Sequence, residues 1–71
     1  MNVNKLKGKI IERAMTIEIL AFKIGIDKST LYRKLANDGL PLTIGEACLI
    51  KKELDLSTSE AISIFFEDNV A

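Results

Sequence analysis

Apolar positions recur along this chain at helical spacing. Val3, Leu6, Ile10 and Ala14 follow three- and four-residue steps and predict a first helix over about Lys5–Ala14, with Lys5 and Lys9 opposite. Asn2 or Asn4 is placed to cap it, and Gly8 weakens it by about 1 kcal/mol relative to Ala. Ile17, Leu20, Ala21 and Ile24 share one face of a second helix, Ile17–Ile24, capped by Thr16 and ended by Gly25, where a left-handed backbone is cheapest. A third helix, Lys28–Asn37, turns Leu31 and Leu35 inward and Ser29, Tyr32, Arg33 and Ala36 outward. Asp27 caps it, Ile26 is a buried staple before it, and Asn37-Asp38-Gly39 with Pro41 stops it. Thr43-x-x-Glu46 is a capping box opening a fourth helix over Ile44–Glu53. Its inward positions are Ile44, Ala47, Ile50 and Leu54, with Cys48 packed on the flank. Ser57-x-x-Glu60 opens a fifth, reaching about Phe66, with Ala61, Ile62, Phe65 and Phe66 as its apolar side. No stretch alternates with period two long enough to predict a strand. The expectation is one all-α domain of five helices over residues 1–71, ending in an acidic tail at 67–71.

The second and third helices meet at Gly25. Helix, tight glycine turn, helix is the helix-turn-helix signature, here spanning residues 16–37. In that motif the second helix enters the DNA major groove, which makes Lys28–Asn37 the reading helix.

Charge first argues against a nucleic-acid partner and then for one. The 71 residues carry ten basic and ten acidic side chains, a net charge of zero. From Met1 to Asn37, eight basic residues against three acidic ones give +5; from Asp38 onward, two against seven give −5. A chain polarised in this way can offer one basic face while neutral overall. Cys48 is the single cysteine and there is no histidine, which excludes the common Cys/His zinc sets, so neither metal nor cofactor is expected. A lone cysteine and no leader-like stretch fit a reducing cytoplasm, and no apolar run reaches the roughly 20 residues that span a bilayer.

Thr16-x-Glu18-x-Leu20-Ala21-x-Lys23-Ile24-Gly25-Ile26-Asp27-Lys28-Ser29-Thr30-Leu31 resembles the helix-turn-helix of the phage Cro and repressor (XRE-type) family. The resemblance implies the compact five-helix lambda-repressor-like DNA-binding domain. It also implies operator recognition by a phage or prophage transcriptional repressor, acting as a homodimer on double-stranded DNA with no small-molecule ligand. Ile17 stands where many members carry a glutamine, and Tyr32-Arg33-Lys34-Leu35 looks more like the ending of Fis-type reading helices.

The expected base-reading residues are Lys28, Ser29, Tyr32 and Arg33. Arginine's planar fork suits the two acceptors of guanine, whereas Tyr32 offers a ring to a thymine methyl or a hydroxyl to a phosphate, or lies half-buried on a neighbouring helix. Thr16, Thr30, Lys34, Asn37 and Thr43 are expected at phosphates, being at helix ends or beside the reading face. Lys5, Lys7 and Lys9 would attract DNA at long range, and Lys23 is a weak candidate. Ile19 and Phe22 form an outward apolar pair, a contact surface either for Phe65 or Phe66 or for a second subunit. No catalytic constellation is present, so an enzyme is not expected. The rival reading is a protein-interaction module on the same fold, such as an antirepressor or a phage–host partner protein, favoured by that apolar pair and the zero net charge.

Overall fold

The computed structural model describes residues 1–36 and 42–66. They form α1 (Val3–Glu12), α2 (Ile17–Ile24), α3 (Lys28–Ala36), α4 (Ile44–Glu53) and α5 (Thr58–Phe65), with no strand among them. None of these helices is long and apolar enough to cross a membrane.

Each helix begins where a short polar side chain can accept from a backbone N–H that the helix leaves unpaired. Asn2, Thr16, Thr43 and Ser57 do this for α1, α2, α4 and α5. Asp27 does it for α3, accepting from the amide of Ser29 at 2.9 Å. Both capping boxes are closed, with Glu46 and Glu60 accepting from the amides of Thr43 and Ser57. The expected bounds of α2 and α4 therefore match, because these signals act within one turn.

Three helix ends share one geometry. The residue past the helix turns left-handed, and two backbone N–H groups fold back onto the last turn. Gly25 (φ 82°) does this after α2, with Gly25 and Ile26 donating to Phe22 and Ala21. Asp55 (φ 51°) does it after α4, and Ala14 (φ 57°) after α1. This corrects the first helix: it runs two residues earlier than expected, and Ala14 is its exposed stop rather than a member of its stripe.

The core is Leu6 and Ile10 of α1, Leu20, Ala21 and Ile24 of α2, Leu31 and Leu35 of α3, Ile50 and Leu54 of α4, then Leu56, Ala61 and Ile64. α2 packs against both α3 and α4, and α1 packs against α5. Ile26 is half-buried against this core.

Four further positions depart from the expected pattern. Ile44 is 81% exposed: it lies in the first turn of α4, well ahead of Ile50, the buried residue of that helix. Cys48 is also exposed. On α5 the inward line is Ala61, Ile64 and, in part, Phe65. Ile62 and Phe66 lie on an adjacent line that faces solvent. The amide of Asn2 donates to the carbonyl of Ile64 at 2.7 Å, a contact fixing α5 against α1 that no local pattern announces.

Candidate nucleic-acid interface

α3 is held by its two leucines and by its start. Leu31 and Leu35 are 0% and 4% exposed, whereas Lys28, Ser29, Tyr32, Arg33 and Ala36 all face solvent. The helix has one buried edge and one open edge, and the open edge carries the residues expected to read bases. Asp27 accepts from both the amide and the hydroxyl of Ser29. The Ser29 hydroxyl, followed by its amide, holds the Asp27 carboxyl below its usual range. Ser29 is thus exposed but engaged in the cap.

Tyr32 is tied to α2 through its hydroxyl. Its hydroxyl donates to Oε2 of Glu18 at 2.9 Å, tying α3 to the first turn of α2, while the residue stays 45% exposed. Glu18's own backbone N–H, then the Tyr32 hydroxyl, hold the Glu18 carboxyl below the usual carboxylate range. The same contact raises the Tyr32 phenol. An open ring edge remains for a base, but the hydroxyl already has an acceptor.

Lys34, expected at a phosphate, is paired within the chain. Its ammonium lies 2.7 and 2.8 Å from the two oxygens of Glu46, and both side chains are only 16% exposed. The pair joins α3 to the capping box of α4, and Lys34 is the first cause holding Glu46 below its usual pKa. Sequence missed this because the spacing from residue 34 to residue 46 crosses two helices, although the free carboxylate of a capping box is a recognisable place to seek a cation.

Thr16 and Thr43 are exposed at the starts of α2 and α4, their hydroxyls accepting from Ile19 and Glu46 amides. Thr30 is half-buried on the side of α3. Asn37 lies outside the described residues.

The basic first half does not gather on α3. Lys9 pairs with Glu60 and Glu12. Lys5 donates to the Ser63 hydroxyl. Arg13 donates from Nε to the Leu54 carbonyl at 2.7 Å and from Nη2 to that of Asp55 at 3.3 Å, covering the carbonyl end of α4. The positive groups on the open edge are Lys28 and Arg33, with Glu18 and Asp27 close to Lys28. The polarity of the sequence is thus spent largely on joining its halves.

Phe22 is 85% exposed, Ile19 44% and Phe66 75%, while Phe65 is half-buried against the core. With Phe22 and Phe66 both largely exposed, neither is covered by the other. Among the described residues, no cluster of three or more His, Cys, Asp or Glu is arranged to hold a metal ion.

A scan against family models finds no match, and no curated protein or solved structure is significantly similar.

Proposed function

We propose that the chain binds double-stranded DNA sequence-specifically, with α3 in the major groove, and regulates transcription as a Cro-like repressor of phage or prophage type. The fold would be of the lambda-repressor kind, α2 and α3 forming its helix-turn-helix. The observation carrying this reading is the two-sided character of α3: Leu31 and Leu35 fix it to the core while Lys28, Tyr32 and Arg33 stand on its open edge. Arg33 is the principal base reader, through guanine O6 and N7. Lys28 serves a base or phosphate near the helix start, and Thr16 and Thr43 are backbone contacts beside it. Binding is as a homodimer, each α3 entering successive major grooves about 34 Å apart.

Few cations serve this surface, so its salt dependence is modest. Each neutralised phosphate contributes about 0.9 to the slope of log affinity against log salt, so two to four contacts give about −2 to −4. Selection of bound sites from random duplex, then sequencing, tests the reading. A palindromic site supports it; failure to enrich any sequence sinks it.

The exposed Ile19–Phe22 pair and the inward pairing of Lys9, Arg13 and Lys34 favour a second reading, a protein-interaction module on the same fold. Complete absence of a gel shift on random duplex at low salt would select it.

A further inference from the structure

The residues of α2 divide into an inward and an outward sector. Leu20, Ala21 and Ile24 are buried and Ile17 half-buried, defining the inward one. At about 100° per residue, the opposite sector is centred between Phe22 and Ile19. Glu18 and Lys23 bracket that pair, one on each flank, and both are exposed. The Tyr32 hydroxyl holds Glu18 on its flank.

The order acid, apolar, two residues, apolar, base is that of heptad positions g, a, d and e. When two such helices run parallel about a two-fold, the g flank of one lies beside the e flank of the other. Glu18 then faces Lys23 of the partner subunit, twice over. An antiparallel pair would bring like flanks together, Glu18 on Glu18 and Lys23 on Lys23. The charges therefore select the occupant as well as the direction.

We propose that a second copy of this chain docks on α2 in parallel, through Ile19 and Phe22, with Glu18 of each copy facing Lys23 of the other. This supplies a contact for the two-fold association and rests on the proposed DNA reading for its use. An eight-residue helix gives an interface below the usual 1,200–2,000 Å², roughly, of stable complexes, so the dimer is weak in free solution. Two half-sites on one duplex would then raise the effective concentration of each copy for the other.

The test is sedimentation of the whole chain over a wide concentration range, without DNA, so that it is independent of any operator. The expected result is a monomer–dimer equilibrium at high concentration. Phe22→Asp weakens it by about thirtyfold or more, as for loss of a central aromatic anchor. Lys23→Glu weakens it several-fold by opposing two carboxylates, and adding Glu18→Lys to that variant restores it. Phe66→Asp leaves it unchanged. All four positions are solvent-facing, and helical content by circular dichroism checks that each variant folds. A chain that stays monomeric throughout overturns the proposal, as does dissociation by Phe66→Asp with Phe22→Asp silent, or failure of the double charge reversal to restore association. Dimerisation with this pattern, but no selected DNA site, would sink the functional reading alone.

Discussion

The α1–α5 seam and the open edge of α3 use similar side chains to opposite ends. Along the seam and at the neighbouring end of α4, Lys9 and Arg13 are matched to Glu60, Glu12 and two carbonyls. On the open edge, Lys28 and Arg33 face solvent on a helix anchored from behind by two leucines. The first region turns charge into cohesion; the second presents charged side chains to solvent. A count of charges along the chain therefore says little about a binding face until the partners of each are known.

The contrast is broken most severely from behind. Leu31→Ala removes a fully buried side chain shared by α3 and the rest of the core, and should cost about 3–5 kcal/mol in thermal or urea unfolding. In a domain this small that approaches the whole stability. Next is the junction between the regions: Glu46→Ala removes both half of a capping box and the acceptor of Lys34, for about 2–4 kcal/mol. If Glu46→Ala unfolds no more easily than the parent, the pair is ornamental. Arg33→Ala should sharpen the comparison by doing the reverse. We expect about 1–3 kcal/mol lost in binding to a selected site and little lost on random DNA.

Acid acts chiefly on the seam and the junction. The carboxyl of Glu60 is lowered from 4.5 to about 2 by the Lys9 ammonium and then the Ser57 amide, and Glu46 is lowered by Lys34. Both folded-state values lie below the unfolded ones, so the stability they contribute is complete above about pH 4.5 and is lost as pH falls toward 2. Melting temperature should fall over that window, and Glu60→Gln should flatten the fall while lowering stability at neutral pH. The smallest effect is a gain: Ala14→Gly relieves a left-handed alanine and should stabilise by about 0.5–1 kcal/mol, read as a small rise in melting temperature.

Thr16, Gly25, Thr43 and Ser57 were readable because each acts on amides or carbonyls a few residues away. So were Leu31 and Leu35, whose period is that of the helix carrying them. Ala14 was not: its spacing continues the α1 stripe, and only the fold shows that the chain must reverse there. Ile44, Ile62 and Phe66 also have the right spacing, but none of the described residues covers them. For the candidate site, the outward face of α3 was visible in the sequence. The fates of Tyr32 and Lys34 were not, since Glu18 and Glu46 reach them from other helices.

Arg13 fixes more than a helix end. Its guanidinium reaches Leu54 across 41 residues of sequence, and the amide of Asn2 reaches Ile64 farther still. During synthesis, α2 and α3 therefore emerge well before the groups that lock the first helix in place. A ribosome-bound chain stopped after α3 would hold its first three helices without their brace, and resistance to protease should arrive late and abruptly, once α4 and α5 have emerged.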